Sequence, residues 1–82
     1  MDKLEREIID IIAEERGKDK EDIQSNSDLY SLGIDSLSAL EIMAVLEEKY
    51  NIRISENELK NINSITEIVR LVSSELDKKE GQ

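Results

Sequence analysis

The chain contains no cysteine, histidine, proline, tryptophan or phenylalanine. Without cysteine there can be no disulfide staple, thiolate nucleophile or thiolate metal site. Without histidine, the side chain that titrates nearest neutrality and the commonest metal ligand are both missing. Catalysis would fall to carboxylates, lysines and tyrosines, and no arrangement of them in the sequence suggests it, so an enzyme is not expected. Nor is a metal site: Asp19, Glu21 and Asp22 lack the acidic ladder, the glycine and the distal bidentate glutamate of a calcium loop, and read as a solvated charged turn. The two tyrosines are the only aromatics, which leaves Ile, Leu, Val, Met and Ala to build the core. Long apolar runs are also absent. The longest, residues 42–46, falls far short of the roughly 20 residues a membrane span needs. Met1 is followed by Asp2, Glu5, Arg6 and Glu7 with no apolar leader. No membrane association is expected, and a cytoplasmic location is.

Basic residues are the minority: 11 against 20 acidic ones, a formal charge of −9 over 82 residues. Such a surface repels nucleic acid and anionic lipid and attracts basic proteins. A chain of this length makes one small domain, here 1–82, with no internal repeat, and a monomer is expected.

What is present is helical periodicity. Asp2 and Glu5 have capping-box spacing, and Leu4, Ile8, Ile11 and Ile12 recur at helical intervals with Ile9 on the flank, so a first helix is expected over 3–16, stopped by Gly17. The connection 18–35 is long, but Ile23, Leu29, Leu32 and Ile34 are spaced to pin it to the core, with a short helical turn near Asp19–Ile23. A second helix is expected over 36–50, ended by Asn51, and 52–54 read as an extended link. Ser55 with Glu58 opens a short third helix over 56–61, and Ser64 with Glu67 opens a fourth over 65–76, carrying Ile65, Ile68, Val69, Val72 and Leu76. Residues 76–82 are expected to be a polar, frayed tail. The fold class is all-α: a four-helix bundle of three longer helices and a short third one, with a long first loop.

The second helix carries more apolar residues than one stripe can hold. Ile42, Met43, Leu46 and Tyr50 share one arc. Leu37, Leu40 and Ala44 share another, with Glu41, Glu47 and Glu48 near its margins. Two readings fit the second arc: a docking surface for a basic partner, or a central helix buried on most sides.

At the start of this helix Gly33 can take a positive φ, and Asp35 and Ser36 are both residues that cap helices. A serine hydroxyl thus sits at a helix N-terminus, a place that favours anions such as a phosphate ester. Capping alone is the plainer function for Ser36.

The segment Leu29, Tyr30, Ser31, Leu32, Gly33, Ile34, Asp35, Ser36, Leu37, followed by Leu40, Glu41 and Ile42, resembles the prosthetic-group site of the acyl carrier proteins. The element pattern resembles that family along nearly the whole chain. The resemblance implies that Ser36, flanked by Asp35 and Leu37, carries 4′-phosphopantetheine taken from coenzyme A by a phosphopantetheinyl transferase. It implies a carrier of acyl thioesters for fatty-acid, lipid or polyketide synthesis. Its partners would be acyl-transferring, condensing or ligating enzymes with basic docking surfaces, meeting Leu37, Leu40, Glu41, Ala44, Glu47, Glu48 and Glu56. The acyl chain would fold into a cavity lined by Met43, Leu46, Ile54, Leu59, Ile62 and Val72. Departures from the family pattern are Ser31 in a position often acidic, Ser55 in one often proline, and Lys49 and Arg53 within the acidic surface. Peptidyl carriers share the fold but often have a second glycine where Ile34 stands, so fatty acyl or polyketide-type cargo is preferred. A small acidic helical adaptor in which Ser36 only caps is the alternative of another class.

Overall fold

The computed structural model describes residues 3–80. Four α-helices follow in order: α1 (Lys3–Arg16), α2 (Ser36–Tyr50), the single-turn α3 (Glu56–Leu59) and α4 (Ile65–Glu80). Two 3₁₀ turns, Lys20–Asp22 and Tyr30–Leu32, lie in the first connection. Among the described residues there is no strand, only an isolated antiparallel bridge between Asp28 and Ser64. The all-α class and the helix order are as expected from the periodicity. The expected cap at Asp2 lies outside the described residues.

Four of the helix boundaries are set by local chemistry. Gly17 turns the chain out of α1 at φ 64°, and Lys18 N–H donates back to the Ala13 carbonyl at 2.9 Å. Asn51 closes α2 in the same left-handed region, at φ 54°. At α3, the Glu58 N–H donates to Ser55 Oγ at 3.3 Å. At α4, the Glu67 N–H donates to Ser64 Oγ at 3.4 Å, and Glu67 Oε1 in return accepts from the Asn63 N–H at 2.8 Å.

The core is aliphatic. Ile8, Ile12, Ile42, Leu46, Ile65 and Val72 are fully buried, so α1, α2 and α4 meet along one seam. On α1 the buried side is Ile8, Ile9, Ile12 and Ala13, while Leu4 and Ile11 pack at its edge. The stripe is thus centred on Ile9 more than on Ile11. On α4, Ile65, Ile68 and Val72 are buried, with Val69 and Leu76 partly so.

The long first loop is held in place. Ile23, Leu29, Leu32 and Ile34 are all buried. Its backbone is joined to the entrance of α4: Leu29 N–H donates to the Asn63 carbonyl (3.0 Å), Ile65 N–H to that of Ser27 (3.3 Å), and Thr66 N–H to that of Ser25 (2.9 Å). With buried apolar anchors and paired backbone groups, the loop is a fixed wall of the bundle.

Two expectations about element length are corrected. The third helix ends at Leu59, not 61. The fourth does not stop at 76 but continues to Glu80. Lys78 Nζ contacts Glu75 Oε2 at 3.0 Å, and Lys79 Nζ donates to the Tyr50 carbonyl at 3.3 Å, while the two lysines also suit the negative end of the helix dipole.

Candidate functional site

The end of the first loop and the start of α2 form the site. The 3₁₀ turn Tyr30–Leu32 closes on Gly33, whose N–H donates to the Tyr30 carbonyl at 3.0 Å and whose φ is 76°. That positive φ turns the chain into Ile34, which is buried and donates its N–H to the Leu29 carbonyl at 3.0 Å. Asp35 follows in extended conformation, and its Oδ1 accepts from the Ser38 N–H at 2.8 Å.

Asp35 is therefore the N-cap, and Ser36 is the first helical residue. Of the two residues that could cap, Asp35 does so, which overturns the reading in which Ser36 serves only as a cap. The Ser36 side chain is exposed, and its hydroxyl has no hydrogen-bond partner among the described residues. The N–H groups of Ser36 and Leu37 likewise have no acceptor among the described residues. An exposed hydroxyl thus stands beside open donors at the positive end of a 15-residue helix. The Asp35 carboxyl is held below its ordinary range, chiefly by the Ser38 N–H, then by the Ser38 hydroxyl, with the Arg16 guanidinium adding to the effect.

Arg16 is the site residue that periodicity gave no means of finding. From the last turn of α1 its Nη2 donates to the Gly33 carbonyl at 3.0 Å and its Nη1 to Ser38 Oγ at 3.1 Å. A basic residue at a helix C-terminus reads as a dipole partner, and only the tertiary structure shows its reach.

Around Ser36 stand all three exposed large hydrophobics of the described residues: Tyr30 (80% exposed), Leu37 (67%) and Leu40 (48%). Tyr30 was not among the expected site residues, since a lone tyrosine in a loop carries no periodic signal. Ala44, Glu41, Glu48 and Glu56 are exposed as well. The second arc of α2 therefore faces outward and is not buried on most sides. Glu47 is different: half-buried, it accepts from the Ile54 N–H at 2.7 Å through Oε2 and so folds the link after α2 back onto the helix.

Between the loop, the start of α2 and α3 lies an open groove of about 550 Å³, bordered by Tyr30, Ile34, Ser36, Leu40, Leu59 and Ile62. At its inner end is a small apolar cavity of about 20 Å³, room for about one water-sized sphere. Of the expected cavity residues, Met43, Leu59 and Ile62 line it, together with Leu29, Ile34, Ala39, Ile42 and Ile68. Leu46 and Val72 do not, because both are fully buried in the seam between helices; Ile54 does not either, being half-buried on the link that Glu47 holds. Among the described residues no cluster of carboxylates is arranged to hold a metal, and no helix is long and apolar enough to cross a membrane.

Comparison with known proteins gives this geometry its setting. The family model described as the phosphopantetheine attachment site matches residues 6–72. The acyl carrier protein of Rickettsia bellii is 32% identical over 73 residues, 88% of this chain and 85% of that one. That of Rickettsia massiliae is 32% identical over 72 residues, 87% and 84% of the two chains. In fold, the crystal structure of an acyl carrier protein from Thermotoga maritima superposes with a TM-score of 0.82 at 23% identity, covering 96% of this chain and 99% of that one. The solution structure of the hexanoyl carrier from the actinorhodin polyketide synthase of Streptomyces coelicolor gives 0.71 at 24% identity, over 92% and 87%. Since the attachment-site family spans most of the chain and curated carriers match it nearly end to end, this chain belongs to the acyl carrier proteins, which are carriers and not enzymes and bear a covalent 4′-phosphopantetheine.

Proposed function

We propose that Ser36 bears the phosphopantetheine and that this protein presents acyl thioesters, of fatty-acyl or polyketide type, to synthesis enzymes that approach over Tyr30, Leu37, Leu40 and Ala44. The observation that carries the reading is the division of labour at the start of α2: Asp35 makes the capping bond, which leaves the Ser36 hydroxyl exposed and free to react. A phosphodiester there fits the residues present, because the unpaired N–H groups of Ser36 and Leu37 and the helix dipole favour negative charge. The groove beside Ser36 offers apolar side chains against which an arm can lie. Bound there, the group supplies a terminal thiol that holds the acyl chain as a thioester.

Loading forms a bond between Ser36 Oγ and phosphorus and breaks the pyrophosphate linkage of coenzyme A, whose adenosine 3′,5′-bisphosphate leaves with the electron pair. The chain has no histidine, and the nearest carboxylate, Asp35, is occupied by Ser38. The base that takes the Ser36 proton therefore belongs to the transferase. Glu41, Glu48 and Glu56, exposed beside the apolar anchors, suit partners with basic rims. Met43, Leu59 and Ile62 are the inner wall toward which an acyl chain would extend.

Incubation with coenzyme A and a phosphopantetheinyl transferase, followed by intact-mass measurement, tests the site. Wild type gains the mass of one phosphopantetheine. Ser36→Ala, which removes no hydrogen bond, stays folded and gains nothing. A modified alanine variant would place the group elsewhere.

A further inference from the structure

We infer that Arg16 is a positioning residue for the loading of Ser36: from the end of α1 its guanidinium fastens the backbone on one side of the serine and the helix on the other into a single rigid unit. The inference rests on Ser36 as the attachment site. Its Nη2 bond to the Gly33 carbonyl (3.0 Å) and Nη1 bond to Ser38 Oγ (3.1 Å) straddle Ser36. The remaining hydrogen bonds of the segment 33–38 are local: Gly33 to Tyr30, Ile34 to Leu29, Ser38 and Ala39 to Asp35, and those within α2 itself. Among the described residues Arg16 is thus the one polar tie between this segment and a distant part of the chain.

Two features argue that the tie serves geometry and not stability. First, Arg16 Nε is buried and has no hydrogen-bond partner among the described residues. A half-buried cation with one unmet donor is a poor way to hold two elements together when an aliphatic side chain could pack in its place. Second, two acceptors at fixed separation match the planar fork of a guanidinium, whereas an ammonium serves as a compact point charge. Gly17 sets the origin of the side chain, because its left-handed turn ends α1 immediately after Arg16. Gly33 presents its carbonyl to Nη2 from a left-handed turn at φ 76°, a conformation that side-chain-bearing residues resist. The basic character alone could be assigned to the dipole of α1, but a dipole partner has no need to reach Ser38.

The test compares wild type, Arg16→Leu, Arg16→Lys and the Ser36→Ala control, all as full chains. Initial rates of phosphopantetheinylation are measured against carrier concentration, and amide hydrogen exchange is measured on the unmodified proteins. A carrier whose competent conformer falls to about a tenth to a third of the population shows an apparent KM raised about three- to tenfold, with kcat little changed. That is the result expected for Arg16→Leu. Faster exchange is expected only over residues 33–39, with the amides of α1 and α4 unaffected. Arg16→Lys should lie between, since one acceptor at a time can still be reached.

The inference requires the KM rise, the local exchange and the intermediate lysine variant together. A wild-type KM in Arg16→Leu overturns it. So does complete rescue by lysine, which would mean that charge alone matters, and so does exchange accelerated along the whole chain, which would mean a merely structural role. Modification of Ser36→Ala sinks the attachment site instead, and the exchange comparison then decides on its own whether Arg16 holds the segment.

Discussion

At the scale of single residues, Asp35 and Ser36 are neighbours with opposite duties. Asp35 is committed to the Ser38 N–H, so Asp35→Ala should lower the melting midpoint by roughly 4–8 °C, whereas Ser36→Ala should leave it in place. Thermal melts of the two variants check this. The Asp35 carboxyl is depressed below its ordinary value of 3.8, first by the Ser38 N–H. A depressed carboxyl contributes stability that is present above the unfolded-state value and is lost as pH falls through the folded-state one. The gap between wild type and Asp35→Ala should therefore be full at pH 6 and close below about pH 4. The triplet Asp35-Ser36-Leu37 was legible in the sequence because its residue types are those of a helix start. Which of Asp35 and Ser36 caps was not, since the choice turns on a single backbone angle, the extended conformation of Asp35 (ψ −174°). Arg16 was illegible for another reason: its partners are 17 and 22 residues away, beyond any local pattern.

At the scale of elements, helix ends were readable where a side chain or a glycine makes them, at Gly17, Asn51, Ser55 and Ser64. The end of α4 was not, because Asp77–Glu80 is polar and its support comes from another helix, through Lys79 and the Tyr50 carbonyl. Tyr50 also binds in the other direction. Its hydroxyl donates to Glu7 Oε1 at 2.7 Å, so the end of α2 is tied to both α1 and α4. Tyr50→Phe keeps the ring but leaves the half-buried Glu7 carboxylate without this donor, and should cost about 1–2 kcal/mol. Denaturant melts measure that loss. Burial, and then the bond to Glu7, raise the Tyr50 hydroxyl well above its ordinary value of 10.0. A group raised in this way contributes stability that is present below the unfolded-state value and is lost as pH rises through the folded-state one. Wild-type stability should therefore decline more steeply above pH 10 than that of Tyr50→Phe. The two arcs of α2 were legible too, since Ile42, Met43 and Leu46 are buried and Leu37, Leu40 and Ala44 are exposed. The composition of the groove was not. It needs residues from the loop, α2, α3 and α4 that meet only in the fold.

At the scale of the whole molecule, charge dominates. A formal −9 on 82 residues, with two ion pairs among the described residues, makes the folded state repel itself. The melting midpoint should rise between low salt and about 0.1 M, where the Debye length is about 10 Å; a flat or falling midpoint would contradict this account. Within that acidic field Lys49 and Arg53 form a basic interruption near the end of α2 away from Ser36. Both are exposed. Lys49 Nζ lies 5.8 Å from the centre of the Tyr50 ring, and Arg53 has no ion-pair partner among the described residues. Exposed contacts of this kind contribute only about 0–1 kcal/mol, so folding gives little reason for the two bases. On the docking reading they tune recognition: a partner built for an unbroken row of carboxylates binds this surface weakly, and one with an acidic spot opposite Lys49 or Arg53 is favoured. The double variant Lys49→Glu, Arg53→Glu should then accept acyl groups faster from general fatty-acid synthesis enzymes and slower from the native partner. The differences should lie in association rate and shrink as salt is raised. Rates indistinguishable from wild type with every partner would remove the case for a specialised surface, while the hydroxyl of Ser36, at the opposite end of the helix, would keep its role.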